Sequence, residues 1–572
     1  MFSLCALLAG AVSLCAQQSA SMEPVPAVPQ GKHFKETYDK GLSEGVNVPV
    51  FPRKAWFRQH FRPEIPRVQL RPPTRLMDFV VDGKLELSLK AYMELVLANN
   101  TDIEIQRLSV ELPKNAITRA AGIFDPFARA QFSSTRANTA TSDLLAGAAS
   151  LSQLNQPWNA LYQQTLSTGT QLTAGYSGQK FTSNSSNVTF NPAFTSNMNL
   201  NLTQPLLRGR GRDITRLPIT IARSRLRAAQ YDLADTLLRL VATAETAYWN
   251  VIEARENLRV QEKALELADV SLKRSQKELE LGAASELEIY QPQAVYANAE
   301  IFVTQARYRL AQTEDQLRRQ IAADLDSEVR KLPIVLTEPV TVPNDNREFD
   351  KEALVTLALR LRPDLLSDVQ ALDVDELNIK AAKNALLPLF NLGGGYTTAG
   401  RGGVFYPRQS LLSTAPVTPI PGGFGDALDQ MFGFGFPTYN FSLTLTLPIR
   451  DRRAAADLAD AAVNRKRDML TLRTDQQQAR LDVLTAINQV EQSRASVKLA
   501  VIARDLAQKR MEAEQKKYDL GISTTFLVLA AQSDLTNAES NMVTQSVAYR
   551  RALLLLQQRT GELLSDRGVV VP

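Results

Sequence analysis

The sequence is short of the residues on which most catalytic and metal-binding chemistry depends. Its 572 residues include two histidines and two cysteines. His33 and His60 lie in a proline-rich stretch near the start, and Cys5 and Cys15 lie earlier still. The rest of the chain therefore has no imidazole for acid–base work and no thiol for disulfides, nucleophilic attack or metal ligation. This composition argues against an enzyme, and we predict no catalytic residue, metal ion or cofactor.

The sequence also lacks a large excess of either charge and lacks long apolar runs. Lys and Arg total 65 and Asp and Glu total 60, which leaves a net charge of +5. So small a surplus over this length does not make the concentrated basic surface of a nucleic-acid-binding protein. After residue 20, no run approaches the roughly 20 apolar residues that a membrane-spanning helix needs. A membrane-spanning part of this chain would have to consist of strands.

The first 84 residues are predicted to be a signal peptide followed by an extended arm. Residues 2–16 are apolar, like the core of a secretory signal, which predicts a signal peptide at residues 1–20. The Lys or Arg that usually precedes such a core is absent here. Cys15 raises the alternative of lipidation, which Leu14 disfavours because a smaller residue normally stands there. Residues 21–84 are rich in proline and show little periodicity, which predicts a loosely ordered arm.

Between about residues 124 and 206 charge nearly disappears, and short runs alternate apolar with small polar residues. Three such runs lie at 127–132, 170–176 and 198–202. This alternation is typical of a strand with one face in lipid and one in a wet lumen. An exposed strand of a soluble sandwich is the alternative, which the uniformly small polar residues disfavour. Similar strands are predicted at about 389–449.

Two very long helices are predicted, one after each strand region. Over about 212–281 apolar residues repeat every seven positions and no glycine interrupts them. A sustained heptad indicates a coiled-coil helix, here on the order of 100 Å long at 1.5 Å per residue. A return helix is predicted at about 285–323. The second half has a long helix at about 451–520 and a return helix at about 524–561.

The two halves repeat one another. Gly282 and Gly521 lie 239 residues apart, and the same offset relates Asn298-Ala299-Glu300 to Asn537-Ala538-Glu539. An internal repeat of this kind indicates two copies of one structural unit. The predicted units are 85–325 and 350–565, joined by a linker at 326–349.

The number of membrane crossings follows from the repeat. Because each strand region begins and ends at a helix, the helices lie on one side of the membrane and each half crosses it an even number of times. Two crossings per half give four strands per chain, too few to close a barrel, and an open edge is not tolerated in lipid. Three copies are expected to close a 12-stranded barrel. Which first-half strands cross stays open, since three candidates are present.

These features together resemble the TolC family of outer-membrane efflux proteins over about residues 85–565. The run LTQPLLRG at Leu202–Gly209 and the Leu-Gly turns at Leu281-Gly282 and Leu520-Gly521 carry the resemblance. It implies an α+β membrane protein, a homotrimer whose β-barrel lies in the outer membrane and whose helices form a coiled-coil barrel through the periplasm. It also implies a passive export duct that receives substrates from an inner-membrane transporter through a periplasmic adaptor (a membrane fusion protein).

In this family the helical turns at the periplasmic end meet the adaptor. By position, the resemblance assigns that role to two tips: Leu281, Gly282, Ala283, Ala284 and Ser285 in the first half, and Leu520, Gly521, Ile522, Ser523 and Thr524 in the second. Glycine permits the chain reversal, and small side chains let a partner helix approach closely. Simple hairpin turns without a partner are the alternative.

The resemblance also places a periplasmic gate at the second tip. The closing aspartates of the family correspond to Leu527 and Ala530 here, so an apolar constriction is expected in place of a carboxylate ring. Ser523 stands where the family has an arginine partner. Tyr518 and Glu288 fall where a tyrosine–carboxylate link is expected. A core tyrosine and a solvated glutamate are the alternative.

A periplasmic coiled-coil adaptor or scaffold without a pore is the main alternative function. An adaptor should carry a small β-domain within one hairpin and an inner-membrane or lipid anchor. This chain has two tandem hairpins with strands between helices, which disfavours the adaptor. A carboxylate-dependent enzyme is also disfavoured, because the acidic residues are scattered over helix faces.

Overall fold

The structure, a computed structural model, describes residues 76–569 except 142–146, 187, 283–284, 324–328, 341–346 and 408–417. The predicted signal peptide, most of the predicted arm, and Ala283 and Ala284 lie outside the described residues. The described chain combines long helices with long strands, in agreement with the predicted mixed class. Its helices include none with the length and apolar character needed to span a membrane.

The elements are numbered here in chain order. The helices are α1 (Leu89–Asn99), α2 (Thr101–Ser109), α3 (Glu111–Ala121), α4 (Arg212–Thr215), α5 (Leu217–Glu280), α6 (Tyr290–Gln320), α7 (Lys351–Leu361), α8 (Pro363–Ala385), α9 (Phe424–Phe432), α10 (Arg452–Asp519), α11 (Thr525–Thr560) and α12 (Leu563–Asp566). The strands are β1 (Val80–Val81), β2 (Lys84–Leu87), β3 (Phe127–Phe132), β4 (Thr135–Ala140), β5 (Ser150–Thr165), β6 (Gln171–Ser183), β7 (Phe190–Pro205), β8 (Ile334–Leu336), β9 (Leu389–Phe405) and β10 (Phe436–Thr446).

The long helices α5 and α10 contain 64 and 68 residues, so each is about 100 Å long. Pro218 is accommodated in the first turn of α5, where its missing N–H has no intrahelical partner. Asp451 caps the start of α10 by accepting a hydrogen bond from the Ala454 N–H at 2.9 Å. Both helices therefore start where local chemistry favours a start, α10 shortly after β10 and α5 after β7 and the short helix α4.

The helices form a layer four helices wide. Helix α5 packs on α6 and α11, and α11 packs in turn on α10. Nearer the strands, α3 packs on α5, and α8 packs between α5 and α10. The outer helices of one chain are therefore α6 with α3 on one side and α10 on the other.

The large sheet has seven strands in the order β10-β9-β7-β6-β5-β3, with β4 also paired to β5. Every pair is antiparallel. Strands β3 and β4 pair with successive parts of β5. Together they make one interrupted crossing of the sheet, and each such crossing is called a pass here. The sheet thus has four passes from the first half and two from the second, more than the four strands per chain predicted from the sequence. Each half does contribute an even number.

A second, small sheet joins the start of the chain to the predicted linker. Strand β2 pairs antiparallel with β1 and parallel with β8, with Leu85 opposite Ile334. Leu85 and Leu87 are buried against the middle of α5, where the Tyr248 hydroxyl donates to the Leu87 carbonyl at 3.1 Å. Segments predicted to be an arm and a linker are therefore ordered in part, because their apolar residues have a core to enter.

Candidate functional site: two sheet faces and two hairpin tips

The strand register gives the large sheet one apolar face. Side chains alternate between the faces of a strand, so directly opposed residues share a face. One row crosses all six passes and is almost entirely apolar: Ala128, Tyr162, Ala174, Leu200, Tyr396 and Tyr439. The next row on this face contains Leu172, Leu202 and Phe441, together with Gln164 and Gly394. The apolar face is therefore continuous from one edge of the sheet to the other.

The opposite face is polar and has little charge. A row on this face contains Gln163, Thr173, Asn201, Gly395 and Asn440, with Phe127 of β3 at its end. Asn201 and Asn440 lie on either side of Gly395, and a methyl group at this glycine would overlap both amide oxygens. Small, uncharged polar groups of this kind are typical of the wet interior of a transmembrane barrel.

Helix α9 covers the apolar face at the end of the sheet farthest from the long helices. Gly400 and Gly402 permit this contact, since a side chain at either would overlap backbone atoms of the α9 segment. Phe424 packs against Trp158, with ring centroids 5.3 Å apart, and the Thr398 hydroxyl donates to the Met431 carbonyl at 3.0 Å. The apolar face is thus covered near this rim and open nearer the helices.

Each long helix ends in a turn that requires glycine. Gly282 has φ +72° and Gly521 has φ +74°, in the left-handed region that side chains with a Cβ rarely adopt. At the second tip the Gly521 N–H donates to the Tyr518 carbonyl and the Ile522 N–H to the Lys517 carbonyl, both at 2.9 Å. These two bonds satisfy the last carbonyls of α10 and form a Schellman motif. The predicted turn glycines therefore occupy the turns.

The tips present apolar side chains that none of the described residues covers. Leu281, Leu520 and Ile522 are 83%, 74% and 75% exposed. The neighbouring polar residues are held in place, since the Ser523 hydroxyl donates to Glu514 at 2.9 Å and Ser285 caps the start of the first return segment. The described tip residues thus lie at two separate turns, where exposed leucine and isoleucine side chains stand beside polar groups that are hydrogen-bonded.

A polar cluster joins the two long helices just before the tips. The Tyr518 hydroxyl donates to Glu278 at 2.8 Å and accepts from the Thr525 hydroxyl at 3.2 Å. Arg274 lies over the Tyr518 ring, 4.6 Å from its centroid, and donates to Asp519 at 2.9 Å. The hydroxyl therefore uses Glu278 as its carboxylate partner, whereas the sequence indicates Glu288, which is exposed beyond the turn.

The charges of this cluster stabilise one another. Hydrogen bonding from Arg274 lowers the pKa of Asp519, and the same bond raises the pKa of Arg274. Burial raises the pKa of Tyr518, and its bond to Glu278 acts in the same direction. At neutral pH the Tyr518 hydroxyl is therefore neutral, and the charged Arg274 lies between the carboxylates of Glu278 and Asp519. Sequence reasoning misses Arg274, Glu278 and Asp519. The four-residue spacing of Arg274 and Glu278 on one helix is the signal that was available.

The predicted constriction residues lie in the first turns of α11. Leu527 is 44% exposed and Ala530 is half-buried, while Val528 and Leu529 between them are buried against the hairpin. Leu527 is therefore free to contact groups outside its own chain. Among the residues that the structure describes, no group of His, Cys, Asp and Glu is arranged to hold a metal ion.

Long antiparallel strands with one apolar and one polar face, continued by helical hairpins about 100 Å long, define an outer-membrane channel protein rather than a coiled-coil adaptor. The family model for outer membrane efflux proteins matches residues 169–323 and 354–562, more than half of the chain. The protein belongs to this outer membrane efflux protein family, which confirms the family predicted from the sequence. The family is one of channels and not of enzymes.

Individual relatives agree with this assignment. The chain is 23% identical over 353 residues to the outer membrane efflux protein BepC of Brucella suis, covering 62% of this chain and 70% of BepC. It is 24% identical over 435 residues to the pyoverdine export outer membrane protein OpmQ of Pseudomonas aeruginosa, covering 73% of this chain and 79% of OpmQ. The crystal structure of the Campylobacter jejuni CmeC outer membrane channel shares the fold, with a TM-score of 0.56, 17% identity and coverage of 91% of this chain and 95% of CmeC.

Proposed function

We propose that three copies of this protein form a passive duct across the outer membrane and periplasm. Substrates are delivered to it by an inner-membrane transporter through a periplasmic adaptor. The observation that carries this proposal is the continuity of the two-faced sheet with the long helices. The polar face of the sheet lines the lumen, the apolar face contacts outer-membrane lipid, and the helices extend the lumen on one side.

The trimer is supported by apolar side chains on the two outer helices of the layer. On α6, Ile301 and Tyr308 are 52% and 70% exposed, and on α10, Leu499 and Leu506 are 66% and 61% exposed. Leu499 and Leu506 lie seven residues apart, so they occupy one stripe of the helix. Contiguous exposed apolar surface of this kind marks a contact with another protein. Pairing α6 of one copy with α10 of the next would continue the layer into a closed helical barrel.

The tips are the proposed contact with the adaptor. The proposal includes Leu281, Gly282, Ala283, Ala284 and Ser285 with Leu520, Gly521, Ile522, Ser523 and Thr524. The exposed leucine and isoleucine side chains offer apolar anchors, and glycine, serine and threonine between them leave room for a helix. An adaptor with an apolar helical tip is the partner that this surface fits.

The gate is proposed to have two parts. The polar cluster of Arg274, Glu278, Tyr518 and Asp519 holds the two hairpins of one chain together. Leu527 and Ala530 of three copies form an apolar constriction, which excludes water and ions without a carboxylate ring. The proposal also includes Glu288, which is exposed beyond the first turn and would contact a neighbouring copy.

Membrane fractionation and bilayer recording test the proposed function together. The full-length protein should be found in the outer-membrane fraction as a trimer that resists detergent without heating. The purified trimer should give discrete current steps in planar lipid bilayers. A periplasmic or inner-membrane location, with no current steps, would support the adaptor alternative and overturn the duct.

A further inference from the structure

The sheet contains strands that the family model does not match. The match begins at Gly169, in the turn between β5 and β6, so β3, β4 and β5 precede it. The matched part contains β6, β7, β9 and β10, the four strands per chain that a 12-stranded trimer needs. The unmatched hairpin adds two further passes, paired to the edge of β6 that faces away from β7.

We infer that all six passes lie in the lipid, so that three copies close an 18-stranded barrel rather than a 12-stranded one. In this barrel the edge formed by β3 and β4 of one copy pairs with β10 of the next. The inference rests on the trimer proposed above and adds the number of strands and the identity of the strands at the interface between copies.

The chemistry of β3 and of the part of β5 that faces it is similar to that of the other passes, whereas β4 carries Arg136 and Asn138 on the apolar face. Ala128, Ala130 and Phe132 of β3 lie opposite Tyr162, Ala160 and Trp158 of β5, and these six residues belong to the apolar face. The alternate positions, on the polar face, are four polar residues and two apolar ones: Arg129, Gln131, Asn159 and Gln163, with Phe127 and Leu161. A hairpin in water outside the membrane gains nothing from an apolar face that continues across it.

The lengths of the added passes also suit a membrane. A tilted membrane-spanning strand needs about 9–11 residues. Strand β5 has 16 residues, and β3 and β4 together run from Phe127 to Ala140 with one short interruption. The neighbouring passes β6 and β7 have 13 and 16 residues. The added hairpin is therefore as tall as the passes beside it.

The two outer edges of the sheet are suited to pair with each other. Every residue of β3, β4 and β10 is exposed in one chain, and β10 has no charged residue to discourage pairing. An unpaired edge is not tolerated in hydrocarbon, since its N–H and C=O groups would have no partner. Because the number of passes is even, β10 runs opposite to β3, and the edges of two copies meet antiparallel.

The rival arrangement would need existing pairing to be broken. A barrel made of β6, β7, β9 and β10 brings β6 of one copy against β10 of the next. The edge of β6 that would make this contact is already paired with β5 along Gln171–Ser183. A barrel of 18 strands keeps this ladder and is wider than one of 12, because barrel diameter grows with the number of strands.

Paired cysteines test which strand meets β10. Gln131→Cys, on the polar face of β3, is combined in turn with Asn440→Cys, Ser442→Cys and Thr444→Cys on the polar face of β10, which covers alternative registers. The matched control combines Gln131→Cys with Phe441→Cys, which points to the opposite face. The rival barrel is tested by Ser177→Cys of β6 with the same three β10 positions.

Oxidised outer membranes are then analysed by gel electrophoresis after heating. We expect covalent dimers and trimers from at least one Gln131 combination and none from the Phe441 control or the Ser177 combinations. Cross-links from Ser177, or none from Gln131 in variants that still form detergent-resistant trimers, would overturn the 18-stranded barrel and leave the duct intact. If the unmodified protein forms no detergent-resistant trimer, the proposed function is overturned, and this inference with it.

A second measurement does not depend on cross-linking. Single variants Tyr162→Cys and Gln163→Cys, neighbours on opposite faces of β5, are labelled with the same fluorophore in reconstituted trimers. Brominated lipids should quench the label at 162 and leave the label at 163 largely unquenched. Quenching at neither position would place β5 outside the lipid, and equal quenching at both would show that β5 does not separate lipid from lumen; either result would overturn the inference.

Discussion

The Tyr518 hydroxyl donates a 2.8 Å hydrogen bond to Glu278, and this bond joins the end of the second long helix to the end of the first. The Arg274 guanidinium completes the link by stacking on the Tyr518 ring and binding Asp519. The two hairpins of one chain are thus held together beside the tips. Opening the tips by moving one hairpin against the other would break these contacts first.

Removing the Tyr518 hydroxyl should open the duct. Tyr518→Phe keeps the ring under Arg274 but loses the bond to Glu278, so the closed state loses about 1–2 kcal/mol. We expect a several-fold larger mean current per trimer in planar bilayers. Tyr290→Phe, an exposed tyrosine next to the first tip, is the matched control and should leave the current unchanged. Equal currents from Tyr518→Phe and the unmodified protein would contradict the gate assignment.

Two glutamate variants separate the sequence-based and structure-based partners of Tyr518. Glu278→Ala removes the carboxylate that the hydroxyl contacts in the structure and should increase the current. The resemblance instead predicts that Glu288→Ala loosens the tip and increases the current. An increase with Glu278→Ala alone assigns the link to Glu278, whereas an increase with Glu288→Ala alone would restore the family pattern.

The second tip should depend on glycine for its backbone conformation. Gly521→Ala forces a residue with a Cβ to φ +74°, at a cost of about 1–2 kcal/mol, although open space surrounds the site. We expect faster cleavage of the turn by a protease in solution. Gly425→Ala, at a helical glycine that is equally open, should not increase cleavage. Unchanged cleavage at the turn in Gly521→Ala would show that the turn tolerates another conformation.

The glycines beneath α9 should be required for its docking on the sheet. Gly400→Ala or Gly402→Ala places a methyl group into the backbone of the α9 segment and should release α9. Hydrogen exchange of residues 424–432 should then increase. Gly394→Ala in the same strand and on the same face meets open space and is the control. Full protection of α9 in Gly400→Ala would mean that the helix can shift without undocking.

An acidic pair between α8 and α10 should make stability depend on pH. Burial and the nearby Asp475 raise the pKa of Asp368 to about 6. A carboxyl with a raised pKa binds its proton more tightly in the folded state, so its stabilising effect is present below about pH 4 and is lost as pH rises through 6. Asp368→Asn should therefore raise the melting temperature at pH 7.5 and not at pH 4. Asp373 is exposed on the same helix, so Asp373→Asn should leave the melting temperature unchanged at both pH values. An equal gain at both pH values would refute the coupling.

The sequence predicts the elements that repeat locally and misses those defined by distant contacts. The heptad spacing predicts a helix at about 212–281, and the structure has α5 at Leu217–Glu280. Strand β5 is missed because Leu151, Leu154, Trp158 and Leu161 are spaced by three and four residues, as on a helix. Its strand conformation comes from pairing with β3, β4 and β6.

The candidate site divides in the same way. Gly282 and Gly521 are predictable because a glycine that ends a long helix has a local reason to be there. The partner of Tyr518 is not, since it depends on how two helices 240 residues apart in sequence are aligned. The family pattern indicates Glu288, whereas the structure brings Glu278 near the end of α5 to the Tyr518 hydroxyl near the end of α10.

Native mass spectrometry of the full-length protein extracted from outer membranes shows whether the duct can form, because several copies are needed to complete the sheet and the helical layer. We expect one particle that contains three chains and dissociates only on denaturation. A particle that contains a single chain, with its sheet edges unpaired in the membrane, would contradict it.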